Sequence, residues 1–206
     1  MQNIYVVTHA QSLHHIQDLA GGWYDTSLTE NGVNQAEKLA EFFYGEIGKP
    51  GIPVYSSDLK RAFETAEIIA RPFNSIVIQD ERLREMSFGN AEGKPRDWRT
   101  ENIDPRPADG DRLNHRIFKN AETRKDIGTR IRECLDEIIA KQDENNIIVS
   151  HGNALTFIIM AWLKVPVENM DCCNFRAAPA RVTYLQEDDL FQNRSVVYVC
   201  REIVQS

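Results

Sequence analysis

Val54-Tyr55-Ser56-Ser57-Asp58-Leu59-Lys60-Arg61-Ala62-Phe63-Glu64-Thr65-Ala66 passes from an apolar run to an amphipathic helix within a few residues. Residues 54–56 read as a short buried strand. Residues 58–71 read as a helix, with Leu59, Ala62, Phe63, Ala66 and Ile69 on one stripe and Pro72 as its stop. The same succession of strand, polar turn and helix recurs along the chain. Residues 4–7 are apolar and β-branched. Residues 29–47 place Val33, Ala36, Leu39, Ala40, Phe43 and Ile47 on one face, with Thr29 as N-cap and Gly48 and Pro50 as stop. Residues 76–78 read as a third strand and residues 121–142 as a long helix buried through Ile127, Ile131, Cys134, Leu135, Ile138 and Ile139. Residues 147–149 are a further strand, followed by a helix over 153–163 that ends before Pro166. Residues 182–185 and 196–199 are the last strands, joined by a polar turn that suggests a hairpin.

The alternation predicts an α/β fold: a three-layer αβα sandwich with a mostly parallel central sheet. The closing hairpin predicts one antiparallel strand. A chain of 206 residues with no repeat or linker is expected to form one domain over 1–206. Its hydrophobic fraction of 42% and charged fraction of 27% exclude a disordered or collagen-like chain. A net charge of −7 argues against nucleic-acid or anionic-membrane partners. No run reaches the roughly 20 apolar residues of a membrane helix. The first residues lack a basic, signal-like segment, so a cytoplasmic location is expected. Cys134, Cys172, Cys173 and Cys200 form no C-x-x-C pair and are expected as free thiols. Residues 85–120 are an irregular insert holding Pro95, Pro105, Pro107 and Gly110. Across 94–125, nine Lys/Arg face six Asp/Glu. That local excess suits either a solvated excursion or a lid over an anionic ligand.

Open α/β sheets bind ligands beyond the carboxyl ends of their strands. Residues 4–7 are followed by Thr8-His9-Ala10-Gln11-Ser12, residues 54–56 by Ser57 to Arg61, and residues 147–149 by Ser150-His151-Gly152-Asn153. Glu85 follows the third strand. Two histidines, an arginine and a carboxylate at one sheet edge supply a nucleophile or base, fixed cations and an acid/base. That set suits attack on phosphorus, where charge develops on the equatorial oxygens.

Five blocks, in order, resemble the histidine phosphatase superfamily, which contains the cofactor-dependent phosphoglycerate mutases. Thr8-His9-Ala10-Gln11-Ser12 stands where that family carries R-H-G-[EQ]-[TS], and Gly22-Trp23-Tyr24-Asp25 with Leu28-Thr29-Glu30-Asn31-Gly32 and Gln35-Ala36 follows its G-W-x-D block. Ser56 to Ala66 matches S-S-x-L-x-R-A-x-[EQ]-T-A. Leu83-Arg84-Glu85 with Gly89 and Glu92-Gly93 matches the next block, and Ser150-His151-Gly152 closes the set. The resemblance implies a phosphoglycerate mutase-like fold with no cofactor and no metal. It implies His9 as nucleophile, Arg61 as phosphate clamp, His151 as charge stabiliser and Glu85 as proton donor and later water activator. Thr8, Gln11, Ser12, His15, Trp23, Gly152 and Asn153 are the accompanying candidates for phosphate or substrate contact. The implied partner is a small phosphorylated metabolite, and a homodimer is possible. The short insert favours a phosphatase over a mutase.

The first block departs from the pattern. Thr8 replaces an arginine, Ala10 a glycine, and His15 stands where many members place an asparagine. Three accounts follow. His15, with or without His14, takes over phosphate contact; or Arg84, Arg112 or Arg116 fills the place; or the chain binds a phosphate ligand with little turnover. A metal site from His9, His14, His15 and His151 is disfavoured, because adjacent His14 and His15 are not expected to aim at one ion. Trp98 is expected either to wall the pocket or to pack beneath the insert.

Overall fold

The apolar runs form one six-stranded sheet. The structure, a computed structural model, describes residues 1–105, 107–108 and 110–203. In chain order, β1 (Gln2–Thr8) leads to the single-turn α1 (Leu13–Ile16) and then to α2 (Glu30–Ile47). Next come β2 (Val54–Ser56), α3 (Lys60–Ala70) and β3 (Val77–Gln79). The insert carries α4 (Arg96–Asn102), and α5 (Arg124–Ala140), β4 (Asn145–Ser150) and α6 (Gly152–Trp162) follow. The hairpin of β5 (Arg181–Glu187) and β6 (Arg194–Glu202) ends the chain's regular structure. The sheet order is β3-β2-β4-β1-β5-β6. β1, β2, β3 and β4 pair in parallel, while β5 runs antiparallel to both β1 and β6. The one reversed strand predicted from the hairpin is therefore β5.

Each central strand alternates between two cores, although both its faces are buried. Val6 and Ile148 join the core beneath α5 and α6, with Ile131, Leu135, Phe157 and Trp162. Val7 and Val149 point the other way, toward Leu39, Phe43, Ala62 and Ile69 of α2 and α3. Burying a side chain of this size contributes roughly 1.5–3 kcal/mol. No helix among the described residues is long and apolar enough to cross a membrane.

Local chemistry moves the helix ends by a few residues from their periodic limits. Leu59 keeps extended backbone before α3, and Pro72 falls in a separate 3₁₀ turn, Arg71–Phe73. Thr123 and Asp126 cap α5 reciprocally, so that helix starts at Arg124 rather than near residue 121. The insert is less irregular than its composition suggests. It holds α4 and a small core of Ala91, Phe118 and Ala121 that Phe88, Trp98 and Ile117 pack against. The Trp98 ring lies 6.4 Å from that of Phe118, so it packs beneath the insert. Residues 106 and 109 of the insert lie outside the described residues.

One glycine fixes how α2 meets the loop after β1. A Cβ on Gly32 would stand 2.0 Å from the Gln11 carbonyl oxygen, which already accepts from the Thr29 N–H. Gly32→Ala must push helix and loop apart and is expected to destabilise the fold by about 1–3 kcal/mol. Chemical denaturation of the variant beside the parent measures this; an unchanged midpoint contradicts it.

Candidate active site

β1, β4 and β2 lie side by side, so their carboxyl ends deliver His9, His151 and Ser57 to one edge. Backbone bonds hold the edge in register: His9 N–H donates to the Ser150 carbonyl (2.9 Å) and Ser57 N–H to that of Val149 (3.0 Å). The reversed β5 starts at the same edge, and Ala177, Ala178 and Pro179 ahead of it close the pocket. The resulting cavity of about 200 Å³ is lined also by His9, His14, His15, Arg61, Glu85 and Gly152.

Hydrogen bonds assign the working nitrogen of His9. Its Nδ1 is 2.8 Å from the Ala10 carbonyl oxygen, which can only accept, so Nδ1 carries the proton. Nε2 then holds the lone pair, and it accepts from Arg61 Nε–H at 3.2 Å. Arg61 is 1% exposed. Its Nη1 donates to the Tyr24 carbonyl (2.9 Å) and its Nη2 to that of Gly22 (2.7 Å). Burial pulls its pKa below the ordinary value, while Glu85, Asp25 and Glu92 push it back up.

His151 is fully buried with its ring centroid 5.0 Å from that of His9. Its Nε2 lies 2.9 Å from Ser57 Oγ, whose lone pair already accepts from the Leu59 N–H. The Ser57 hydroxyl proton can therefore go to Nε2, which leaves Nδ1–H as a donor. That Nδ1 is buried without a partner among the described residues. Such an orphan is costly unless a ligand oxygen completes it. Glu85 sits at the N-terminus of α6. Its Oε1 accepts from Met86 N–H (2.8 Å) and Ala154 N–H (3.1 Å), and its Oε2 from Asn153 N–H (3.1 Å). Burial nevertheless outweighs these bonds and raises its pKa, favouring the neutral acid.

The remaining candidates divide sharply. His15 lines the pocket at its mouth, its ring nearly parallel to that of His9 at 5.4 Å. Its Nδ1 accepts from Ser12 N–H at 3.1 Å, so Nε2 bears the proton. His14, left open by the sequence, is buried beside it. Thr8 borders the pocket, but its hydroxyl donates to the Ala178 carbonyl (2.7 Å) and accepts from Arg181 N–H (3.1 Å). It ties β1 to the chain entering β5 and has no donor left for phosphate. The Gln11 side-chain oxygen accepts from Thr29 and Asn31. Ser12 Oγ is wholly buried between His14 Nδ1 (3.0 Å) and His15 Nδ1 (3.3 Å). Trp23 donates to the Glu85 carbonyl (2.7 Å) and carries the Arg84 guanidinium over its ring. Gln11, Ser12 and Trp23 thus brace the site instead of lining it, and Asn153 serves through its backbone N–H.

Among the described residues, no second arginine fills the place beside Thr8. Arg84 pairs with Asp58, and Arg116 with the Ala121 carbonyl and Asp126. Arg112 lines a separate cavity beyond Phe88. His14 and His15 come together despite their adjacency. A ring nitrogen of each of His9, His14 and His15 lies within 4.8 Å of the other two. His151 is not in that group. Sequence reading passed over Ser57, the Gly22 and Tyr24 carbonyls, and the wall at 177–179. The antiparallel hairpin carried the signal for the wall, since a reversed strand must start where parallel ones end.

Burial first, then mutual repulsion and Arg61, lower the pKa of His14 to about 3; the pocket wall strips water from one side of the outward-facing His15 ring and, with Arg61, lowers its pKa to about 4. The unfolded chain takes up these protons near pH 6.5. Stability from the neutral rings is therefore complete above about pH 6.5 and is lost as pH falls toward 3. A His14→Asn/His15→Asn variant should lose less Tm than the parent between about pH 7 and pH 4. Parallel Tm curves contradict that assignment.

The model of the histidine phosphatase superfamily (branch 1) matches residues 4–194. A protein of Hydrogenobacter thermophilus named as phosphoserine phosphatase 2 is 30% identical over 82% of this chain and 83% of its own. One of Serratia proteamaculans named as phosphoglycerate mutase GpmB is 34% identical over 81% and 77%. Among solved structures, a mycobacterial glucosyl-3-phosphoglycerate phosphatase superposes with a TM-score of 0.79 at 24% identity, covering 96% of this chain and 98% of that one. The α-ribazole phosphatase of Shigella flexneri gives 0.78 at 21%, covering 97% and 96%. The chain belongs to the histidine phosphatase superfamily.

Proposed function

We propose that this superfamily member is a phosphomonoester hydrolase that works through a phosphohistidine at His9. The observation that carries the reading is the pairing of His9 and Arg61. Nδ1 is tied to a carbonyl, so the lone pair is on Nε2, where it accepts from a buried, always-charged guanidinium that must release it for attack. Nε2 attacks phosphorus, the P–Nε2 bond forms, and the P–O ester bond breaks. Glu85, held toward its neutral form, gives its proton to the departing alkoxide. Arg61, His151 Nδ1–H and His15 Nε2–H stabilise the charge on the equatorial oxygens. The Glu85 carboxylate then takes a proton from water, which attacks phosphorus and releases His9 and phosphate.

A second cavity of about 400 Å³ supports a place for the leaving group. It opens beyond Phe88, between Met86 and Ile117, and Arg112 and Arg124 line it together with Asp104. Its walls favour a small ester whose alcohol carries an apolar part and a second anionic group. Relatives named as phosphatases support hydrolysis, and the GpmB relative keeps the mutase as the alternative.

Phosphate release from a panel of phosphomonoesters between about pH 5 and 8 tests the reading. His9→Ala should abolish release while leaving the fold intact. Arg61→Lys, which cannot reproduce three fixed N–H bonds, should lower kcat by about 10²–10³. Release that survives in His9→Ala contradicts the reading. Interconversion of phosphoglycerates, primed by the bisphosphate and faster than phosphate release, replaces it with the mutase. Vanadate binding without release replaces it with a phosphate-binding protein.

A further inference from the structure

We infer that His9, His14 and His15 form a second, mutually exclusive site in this pocket: a three-imidazole seat for a borderline d-block dication such as zinc, whose occupation blocks the nucleophile. The block on turnover rests on the proposed function; the seat itself rests on geometry alone.

Three observations support the seat. First, one ring nitrogen from each histidine already lies within 4.8 Å of the others, and the His14 and His15 centroids are 4.1 Å apart. Tetrahedral zinc with bonds of about 2.0–2.1 Å needs ligand nitrogens about 3.4 Å apart. Closing the gap takes side-chain rotation of His15, which stands exposed at the mouth on the four-residue α1.

Second, Nδ1 of each ring lies within reach of a protein oxygen that can accept, which leaves Nε2 for the ion. His9 Nδ1 meets the Ala10 carbonyl, and Ser12 Oγ lies between the Nδ1 atoms of His14 and His15. With two lone pairs, that one oxygen can accept both N–H groups. An acceptor behind each imidazole is the outer-shell arrangement that fixes metal-binding histidines. His15 must shift its Nδ1 contact from the Ser12 N–H to Ser12 Oγ, a change within one contact set.

Third, the donor set is all imidazole, which suits zinc, nickel or copper over magnesium or calcium. Arg61 opposes any cation here, since it donates to His9 Nε2. It is partly offset by Glu85, Asp25 and Glu92. The balance predicts an exchangeable ion, removed by chelator, and not a permanent structural one. Once on the metal, the His9 Nε2 lone pair cannot attack phosphorus.

The test uses tag-free full-length protein carrying Cys172→Ser and Cys173→Ser, because Cys172 is exposed and Cys173 partly so. Equilibrium dialysis against zinc should give one ion per chain. His14→Asn and His15→Asn should each weaken binding at least about tenfold. Cobalt should give visible d–d bands without a thiolate charge-transfer band. His15→Asn, at the exposed mouth, keeps the test sound if His14→Asn fails to fold. No bound ion, undiminished binding in both variants, or a sulfur charge-transfer band overturns the inference. Zinc binding together with no turnover of any ester by the chelator-treated, metal-free protein leaves the seat standing and removes the hydrolase reading. Turnover without zinc binding does the reverse.

Discussion

A permanent cation held almost out of water at the carboxyl edge of the sheet organises this molecule. Arg61 has no ion-pair partner within contact distance among the described residues; two carbonyls and His9 Nε2 accept its hydrogen bonds. Carbonyl dipoles solvate the charge without neutralising it, and the nearest carboxylates act at longer range. Leaving such a group uncompensated costs several kcal/mol. The cheapest completion is an anion in the pocket, where the unpartnered His151 Nδ1 also waits. The fold serves this arrangement. α3 delivers Arg61, the loop before Asp25 supplies its carbonyls, and the parallel strands place two histidines against it.

Much of this was legible in the sequence, because strand, turn and helix repeat with clear periods. The strands at 54–56 and the helix from Glu30 to Ile47 fall where periodicity and capping put them. His9, Arg61, His151 and Glu85 also converge, because each follows a strand that ends at one edge. What was not legible depends on where side-chain hydrogen bonds go. Gln11, Ser12 and Trp23 carry the right residue types in the right block, yet each turns toward a neighbour instead of the pocket. Periodicity also missed α4, whose polar turns stand on a three-residue core of their own. Adjacency misled most. His14 and His15 look divergent on a regular helix, but α1 is a single turn, and Ser12 Oγ gathers both Nδ1 atoms.

Thr8 gives the site its individual character. Where the family resemblance implies an arginine, this chain uses a hydroxyl to stitch β1 to the segment entering β5. The position thereby trades a charge for backbone order. The vacated side of the pocket is occupied by His14 and His15, whose rings burial and Arg61 keep neutral near pH 7. One fixed cation is exchanged for two neutral rings that hold lone pairs and N–H donors. The same exchange underlies both proposals, a phosphoryl acceptor at His9 and an imidazole seat for a borderline dication.

The account stands or falls on His9 Nε2 as the atom that takes the phosphoryl group. Rapid quench of the protein with a turned-over phosphomonoester, followed by peptide mapping, measures this directly. An acid-labile, alkali-stable phosphate on the peptide containing His9, formed faster than phosphate is released, is the predicted result. Phosphate release with no phosphorylated His9 at any quench time contradicts it.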